Sequence, residues 1–471
     1  MDYKHYCCFF LGCLSTIITS CSVDDPKPDP TLDENVNAWT YDIMEKHYLW
    51  YDEIPAKESL DMTTAPDKFF NLLLSDKDGK VLNGKAGHHY FSRIEKKKTS
   101  TKSIDEESTY GFDFAIAQMP GTRKYVAWII YILPNSPAAA AGLERGDWIL
   151  GVNSEMPNIS DISVLRSGSA ATFYTGKYNS ANKSWTVTGS VDIAASRPVE
   201  NTPFLKDSVY HYGSKNIGYL AYNHFSSGPD GYKDKTWDTQ MRQLFANFKS
   251  KNVNEFVLDL RYNGGGLVTS AQLLTSLLAP AEDLGKTFCK MKYNENYKDN
   301  NKSLSLESAS SLSGENLDLN RLFVLIGPNT ASASEAVINC LIPYMGRSNI
   351  TLIGEQTIGK TVGSEQYGDN QDYDWLISPI VLHIKNADGK ADYEDGFVPD
   401  IRVEELVVNN TLYPLGDRRD MLLSVAFRQI MGTGLKSSPA GNTEHTKMIF
   451  NPILNKRTNG MLLFPQEVTQ K

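Results

Sequence analysis

The strongest constraint on the fold of this chain is a series of almost continuously apolar strands that alternate with helical patterns after about residue 209. The runs "FVLDL", "LFVLIG" and "ITLIGE" are typical of strands buried on both faces of a parallel sheet. Between them lie "VTSAQLLTSLLA" and "SEAVINCLIPYM", which have helical periodicity. Repeated strand–helix units predict an α/β core, in which functional residues collect in loops at the carboxyl ends of the strands.

The regions around this core have different patterns. Residues 34–100 predict an N-terminal helical domain, with helical spacing to about residue 74 and a loop and a strand in "DKDGK" and "GKAGHHYFSRI". Residues 101–204 are β-rich and predict a domain inserted before the core at residues 205–405, with an additional hairpin in its Ser/Thr/Tyr-rich part. The last segment, residues 406–471, contains a predicted helix in "DMLLSVAFRQIMG" and then a polar end. The fold class is therefore multi-domain α+β around an α/β core.

The first residues have the features of an export signal. Lys4 precedes the apolar run "CCFFLGCLSTII", which is too short to span a bilayer permanently. The following "ITSC" ends at Cys21 and resembles the lipobox of bacterial lipoproteins, in which the cysteine is lipidated after cleavage. We expect a signal peptide over residues 1–20, a flexible Pro- and Asp-rich tether over 21–33, and an outer-membrane lipoprotein that faces the periplasm or the cell surface. A plain secretory signal is the alternative.

Composition excludes several classes of protein. The net charge of −9 argues against nucleic acid as the main partner. Only Cys289 and Cys340 lie beyond the export signal, so there is no disulfide framework, and Cys340 is expected in the core. The glycine-rich loop described below is not followed by Gly-Lys-Ser/Thr, which argues against a nucleotide site. No metal or other cofactor is expected.

The first chemically interesting loop is "RYNGGG", which follows "FVLDL". Successive glycines let the backbone approach a ligand and turn its amides outward, which suits an oxyanion hole or a phosphate site. The alternative is a tight turn without function, with Asp259 and Arg261 as a structural ion pair that braces it.

The second loop, "NTASASEA", follows "LFVLIG" and carries two serines one residue apart. Ser332 and Glu335 match a capping box, which would explain both residues without any chemistry. A serine at a sharp strand-to-helix junction also lies where helix amides favour developing negative charge. Ser332 is therefore a candidate for both a helix cap and a nucleophile, whereas Ser334 is expected to pack in the first turn.

The third loop is "QTIGKTVG", in which Lys360 stands between apolar neighbours. A lysine buried in an apolar site can lose its proton and act as a general base. Taken alone, an exposed or snorkelling lysine is the alternative. His224 and His383 are other candidates for the base. His224 lies near a strand end and is the better of the two, since His383 is expected to be a half-exposed strand residue.

Within the β-rich region, "PNSPAAAAGLERGDWILGVN" resembles the core of a PDZ domain. Domains of that family capture a peptide carboxylate with backbone amides and add the peptide as an edge strand. The resemblance implies that Tyr110, Gly111 and Phe112 form the start of the carboxylate-binding loop and strand. The alternative is a domain that has lost binding and only packs.

Together, "DLRYNGGG", "TASASEA" and "GEQTIGK", in this order behind a PDZ domain, resemble the C-terminal processing peptidases, also called tail-specific proteases. The resemblance covers about residues 110–363. It implies a crotonase-like α/β core and an ATP-independent serine–lysine endopeptidase that cleaves protein or peptide substrates near free carboxyl termini. In the family motif the nucleophile falls on Ser332 and the base on Lys360. The oxyanion hole falls on the amides of Ala333 and of Gly265 or Gly266.

This chain departs from the family in one important position. The family commonly has a glutamine four positions beyond the lysine, where it orients the amine, but Ser364 occupies this position here. Gln366 lies two residues further and would replace it only if the strand bulged. The departure favours, as the alternative function, a catalytically inactive peptide-binding protein that retains the peptidase fold.

Overall fold

The computed structural model describes residues 32–81, 87–97, 108–119, 121–230, 232–368, 373–433, 449–451 and 462–463. The predicted signal peptide, most of the tether and Cys21 lie outside the described residues. Within the described ranges, none of the helices combines the length and the apolar character that crossing a bilayer requires.

The N-terminal domain combines helices with short strands. Its elements are α1 (Leu32–His47), α2 (Pro66–Leu72), β1 (Lys80–Val81), β2 (His88–His89) and β3 (Arg93–Lys96). Pro66 is the first residue of α2, a position that proline favours because its missing amide has no partner there. The strand predicted after the helices is confirmed by β2 and β3, and β3 pairs with a strand of the core.

The β-rich domain contributes five strands to a six-stranded sheet; its two other strands form a separate pair, and it has one short helix. Its elements are β4 (Ser108–Thr109), β5 (Phe112–Gln118), β6 (Tyr125–Ile132), α3 (Pro137–Ala140), β7 (Trp148–Val152), β8 (Ala171–Asn179), β9 (Ser184–Ile193) and β10 (Arg197–Pro198). Strands β8 and β9 pair in antiparallel register, which confirms the predicted hairpin. The Ser136 side chain caps α3 by accepting a hydrogen bond from the Ala139 amide at 3.1 Å.

The core follows in a strand–helix alternation. Its elements begin with β11 (Phe204–Tyr212), β12 (Lys215–Tyr222), α4 (Thr236–Ser250), β13 (Glu255–Asp259), α5 (Val268–Leu278), β14 (Thr287–Tyr293), β15 (Lys302–Ser305), β16 (Leu322–Ile326), α6 (Ala333–Met345) and β17 (Ile350–Gly354). They continue with β18 (Val362–Glu365), β19 (Trp375–Ser378), β20 (Ile380–Lys385), β21 (Ile401–Arg402), α7 (Met421–Ile430) and β23 (Leu462–Leu463). Before β23, β22 (Ile449–Asn451) pairs with β5 and completes the six-stranded sheet of the β-rich domain.

The central sheet of the core has the strand order β11-β12-β13-β16-β17-β21. All neighbours from β12 onward run parallel, which confirms the predicted α/β core. One face carries α4, α5 and α6, and the other carries α7. Consecutive residues of β13 therefore pack on opposite faces: Phe256 and Leu258 against the first layer, Val257 against α7.

A second sheet, in the order β15-β14-β20-β18-β23, lies beside the central one. Strand β18 follows Lys360 directly, and its Val362 belongs to an apolar cluster with Tyr48 of the N-terminal domain and Ile377 of β19. Strand β3 extends this contact by pairing antiparallel with β19. The N-terminal domain is therefore packed against the loop that carries the candidate base.

A buried ionic cluster joins the β-rich domain, the core and the last helix. The Arg261 guanidinium contacts Asp259 at 2.7 Å, Asp420 at 2.9 Å and Glu405, and all of these side chains are buried. Arg145 of the β-rich domain contacts Glu405 at 2.5 Å. The predicted ion pair of Asp259 and Arg261 is confirmed, and it is part of a larger network that holds the glycine-rich loop.

We expect Arg261→Ala to destabilise the protein by about 3–5 kcal/mol, because it leaves buried carboxylates without their central counter-charge. Urea unfolding of the two proteins measures the difference. Arg419→Ala is the matched control, since Arg419 pairs with Asp417 on the surface. It should leave the unfolding midpoint nearly unchanged. Equal stability of Arg261→Ala and the wild type would show that the cluster is not a structural element.

Candidate active site

The three loops singled out in the sequence meet at one edge of the central sheet. They follow β13, β16 and β17, which are adjacent and parallel, so their carboxyl ends lie side by side. The Leu260 amide donates to the Leu325 carbonyl, and the Ile358 amide donates to the Thr330 carbonyl, each at 2.9 Å. Hydrogen bonds thus connect the start of the glycine-rich loop to β16, and the lysine loop to the serine loop.

Ser332 is held in an unusual backbone conformation at the start of α6. Its φ of 61° and ψ of −113° lie in a region that non-glycine residues rarely occupy, and its side chain is fully buried. A Cβ atom at position 265 would lie 2.8 Å from the Cβ atom of Ser332. Only glycine permits this approach, so the glycine-rich loop lies directly against the serine, as expected for a shared site.

Asn263 holds the glycine-rich loop and the serine loop together. Its carbonyl accepts hydrogen bonds from the Ala331 amide at 3.2 Å and from the Ser334 hydroxyl at 3.0 Å. Its side chain donates to the Tyr222 carbonyl at 2.9 Å and accepts from the Gly265 amide at 2.9 Å. Ser334 therefore has the structural role predicted for it. Asn263 was not predicted as a site residue, and its only signal in the sequence is its position directly before the glycines.

The amides predicted to form an oxyanion hole differ in whether they already donate a hydrogen bond. The Gly265 amide donates to the side-chain oxygen of Asn263. The amides of Gly266 and Ala333 have no acceptor within the described part of the chain. In this conformation Gly266 and Ala333 are thus the better pair of donors for an incoming oxyanion.

Glu335 connects the serine loop to the lysine loop. Its Oε2 atom accepts hydrogen bonds from the amides of Ser332 and Lys360, both at 2.8 Å. Its Oε1 atom accepts from the Gly359 amide at 2.6 Å and from the Thr357 hydroxyl at 2.5 Å. Because the backbone nitrogens of Ser332 and Lys360 each lie 2.8 Å from the same oxygen atom, they are at most twice that distance apart. Burial raises the pKa of Glu335, and these four hydrogen bonds oppose that effect.

The carboxylate half of the predicted capping box is therefore present. The sequence analysis assigned Glu335 to that cap alone. Its bonds to the lysine loop are long-range contacts, which spacing within one helix does not reveal.

Lys360 is buried and has a strongly altered protonation equilibrium. Burial, followed by the nearby Arg93 charge, lowers its pKa to about 7, and Asp78 and Glu335 act in the opposite direction. Its Nζ atom lies 4.9 Å from the centre of the Phe91 ring. The alternative of an exposed lysine is therefore wrong. Near neutral pH a substantial fraction of the amine is unprotonated and can accept a proton.

The two histidines are less suited to the role of base. Burial lowers the pKa of His224 to about 3, and its ring packs edge-on against Trp237 at 5.5 Å. A group with so low a pKa is a weak proton acceptor at neutral pH. His383 is a half-buried residue of β20, as predicted, and burial lowers its pKa.

Ser364 and Gln366 are the two candidates for orienting the lysine. Val362, at the start of β18, packs towards the N-terminal domain. Gly363 faces the opposite side, against Leu382 and Ile384. A register shift lies between Gly363 and Ser364. Ser364 is buried within β18, and Gln366 lies just beyond its end.

The predicted carboxylate-binding residues of the β-rich domain are largely engaged within the domain. The Tyr110 amide donates to the Arg166 carbonyl at 3.1 Å, and the Gly111 amide donates to the Thr109 hydroxyl at 3.0 Å. Tyr110 and Phe112 are buried in one apolar cluster. Capture of a peptide carboxylate here would require these two amides to exchange their partners.

The described residues include no group of three or more His, Cys, Asp or Glu side chains that could hold a metal ion. Cys289 and Cys340 are buried free thiols, and the predicted core position of Cys340 is confirmed.

We expect Glu335→Gln to lower the stability by on the order of 3 kcal/mol, because an amide nitrogen would replace one acceptor oxygen and face two backbone or hydroxyl donors. Urea unfolding measures this loss, and hydrogen exchange should accelerate in peptides spanning 330–336 and 357–361. Glu282→Gln, at an exposed position after α5, is the control. Unchanged exchange in both peptides would contradict the assigned role of Glu335.

Comparison with known protein families gives matches to the N-terminal domain, to the β-rich domain and to the α/β core. The model of peptidase family S41 matches residues 216–403, that of the peptidase S41 N-terminal domain matches residues 35–93, and a PDZ domain model matches residues 128–168. The matched peptidase region contains the glycine-rich, serine and lysine loops. The predicted PDZ domain is therefore confirmed.

Relatives and solved structures agree with these matches. The chain is 26% identical over 310 residues to the carboxy-terminal processing protease CtpA of Bacillus subtilis, covering 64% of this chain and 58% of that protein. It is 27% identical over 237 residues to a carboxyl-terminal-processing protease of Picosynechococcus sp., covering 49% of this chain and 50% of that protein. The chain thus spans little more than half the length of these curated relatives.

Among solved structures, the fold is similar to the crystal structure of a protein from Bacteroides fragilis NCTC 9343 that is assigned to the S41 proteases. The TM-score is 0.73, the identity is 30%, and the match covers 84% of this chain and 98% of that one. With this identity over nearly the whole of a related structure, the chain belongs to peptidase family S41.

Proposed function

We propose that this chain is a serine endopeptidase that cleaves protein or peptide substrates near free carboxyl termini by a serine–lysine mechanism without ATP. The observation that carries the proposal is the shared Glu335 carboxylate, which brings the backbone of Ser332 to that of a buried lysine with a pKa of about 7. The relatives from B. subtilis and Picosynechococcus, which are carboxyl-terminal-processing proteases by name, support the choice of the substrate's carboxyl end.

In this proposal, Ser332 Oγ attacks the carbonyl carbon of the scissile peptide bond and its proton passes to Lys360 Nζ. The amides of Gly266 and Ala333 donate hydrogen bonds to the tetrahedral oxyanion. Collapse breaks the C–N bond, and the leaving amine takes the proton back from Lys360. Lys360 then takes a proton from water, whose oxygen attacks the acyl carbon. The C–O bond to Ser332 breaks, and Lys360 returns the proton to Ser332 Oγ. The PDZ domain would present the substrate tail or control its access.

A fluorophosphonate probe tests the nucleophile. We expect it to label the wild type at Ser332, with no label on Ser332→Ala, because the phosphorus is attacked by the activated hydroxyl. Mass spectrometry of the labelled peptide identifies the site.

Cleavage of an unfolded protein substrate tests the base. Lys360→Ala should cleave it at least about a hundredfold more slowly than the wild type while remaining folded.

Ser334→Ala is the matched control, and its label should still be found on Ser332. Equal labelling of the wild type and Ser332→Ala would remove the nucleophile assignment. A wild type with neither label nor cleavage would favour the alternative, a catalytically inactive peptide-binding protein. Full turnover by Lys360→Ala would transfer the role of base to His224 or to another group.

We also propose that the enzyme is anchored in the cell envelope by a lipid on Cys21, as an outer-membrane lipoprotein. This rests on the "ITSC" sequence after an apolar signal. Cys21→Ser is expected to move the protein from the membrane fraction of the expressing cells to the soluble fraction. Cys13→Ser, inside the apolar run, is the control and should stay with the membranes. Equal membrane association of wild type and Cys21→Ser would contradict the anchor.

A further inference from the structure

The chain beyond α7 adds a strand to each of two sheets. We call β22 (Ile449–Asn451) and β23 (Leu462–Leu463) the distal strands. They fall in the two apolar stretches of a mostly polar sequence, "MIFNPIL" and "MLLFP". The strand orders are β22-β5-β6-β7-β8-β9 and β15-β14-β20-β18-β23, so each distal strand lies at one end of its sheet. The same part of the chain therefore pairs with both the PDZ domain and the core.

The first distal strand, β22, pairs with the strand on which a peptide ligand of a PDZ domain would lie. Strand β5 directly follows the predicted carboxylate-binding loop at Gly111. In antiparallel register, Ile449 lies opposite Ile116, and Asn451 lies opposite Phe114. The direction of β22 is therefore towards this loop, as for a peptide that is added as an edge strand with its carboxyl end at the loop.

The second distal strand, β23, pairs with the strand that follows the candidate base. Leu462 and Leu463 lie opposite Ser364 and Glu365 of β18 in parallel register. Ser364 is four residues after Lys360, and four extended residues span at most about 14 Å. Strand β20 occupies the opposite edge of β18. An extended chain that pairs with β18 near the lysine must therefore use the edge that holds β23.

Both pairings lie on the route that the proposed function gives to a substrate. A polypeptide that is captured by the PDZ domain and cleaved by Ser332 would lie along β5 and would also reach the lysine loop. The edge of a strand presents amides and carbonyls with which another extended chain can pair, and these backbone bonds depend little on side chains. Because each edge pairs with one chain at a time, the distal strands and a substrate exclude each other.

The distal strands are also short enough to be displaced. They comprise three and two residues, so each forms few backbone hydrogen bonds. Their connection to the rest of the chain compensates for this, because binding within one molecule occurs at an effective concentration set by the connecting chain. Such an arrangement favours an occupant that is present before substrate arrives and leaves when a longer strand pairs in its place.

We propose that the distal strands are a built-in competitor of the substrate. In this proposal β22 occupies the peptide-binding edge of the PDZ domain, β23 occupies the edge of β18 next to the lysine loop, and an extended substrate displaces both. The inference rests on the proposed function, because it takes the substrate to be a polypeptide with a free carboxyl terminus. It also assigns the edge of β18 as a second binding site for extended peptide, separate from the PDZ edge.

Hydrogen exchange tests the occupancy of the two edges without any cleavage, when the whole chain carries Ser332→Ala. Proline has no amide to donate and disrupts strand pairing, so Phe450→Pro should release β22 and Leu462→Pro should release β23. We expect faster exchange in residues 112–118 for the first variant and in residues 362–365 for the second. A synthetic peptide with the sequence of residues 447–466 should restore the protection of both edges in the double variant.

Cleavage kinetics with Ser332 intact test the competition itself. The apparent affinity for a substrate falls in proportion to the fraction of molecules in which its site is free. Phe450→Pro and Leu462→Pro should therefore each lower the KM for an unfolded protein with a free carboxyl terminus by about tenfold, with kcat unchanged.

Ser303→Pro is the matched control, because it disrupts β15 at the opposite end of the sheet that contains β23. Its KM should equal that of the wild type. If a proline variant does not fold, as judged by thermal unfolding, glycine at the same position weakens the strand without removing its amide and is measured instead.

The remaining outcomes separate this inference from the proposed function. Unchanged exchange in both edge segments would overturn the occupancy, whether or not the protein cleaves substrates. The expected changes in exchange, without cleavage by any variant, would support the occupancy and overturn the peptidase.

Two further results would replace the competitor with another role. A higher KM and a lower kcat, together with a lower unfolding temperature, would mean that the distal strands are structural parts of their sheets. Loss of the distal strands from the wild type, but not from Ser332→Ala, would show by mass spectrometry that the chain cleaves them as a substrate.

Discussion

The buried carboxylate of Glu335 is the interaction on which the site depends. It accepts hydrogen bonds from the amides of Ser332 and Lys360, which belong to loops after two adjacent strands. A carboxylate in an apolar interior is costly unless its lone pairs are used, and the four donors around Glu335 use them. The same bonds that offset its burial therefore fix the serine loop relative to the lysine loop.

The other parts of the chain are attached to this site by contacts of two kinds. The N-terminal domain shares an apolar cluster with β18 and β19 and holds the lysine loop through Lys80. The PDZ domain and α7 meet the core at the ionic cluster around Arg261, directly before the glycine-rich loop. A substitution in either neighbouring domain can therefore alter the position of the serine or the lysine without a direct contact to these residues.

Much of the fold and several site residues were predicted from the sequence, because their signals are local. Apolar strands, the periodicity of α4 to α7 and the glycine-serine-lysine loop order are each visible within a few residues. The pairing of β3 with β19 is different, since it joins short, partly exposed strands far apart in the chain. Asn263 and Glu335 were missed as connectors for the same reason, as their partners lie on separate loops.

The strand–helix core, the PDZ domain and the residue types at the three loops follow from the sequence alone. The protonation and the hydrogen bonds of those residues depend on the tertiary structure. It occupies the Gly265 amide with Asn263 and leaves those of Gly266 and Ala333 available. It also buries Lys360 beside Phe91 of another domain, and this burial lowers its pKa to about 7. Protonation and hydrogen-bond availability depend on neighbours brought together by folding, whereas backbone pattern depends on neighbours in the chain.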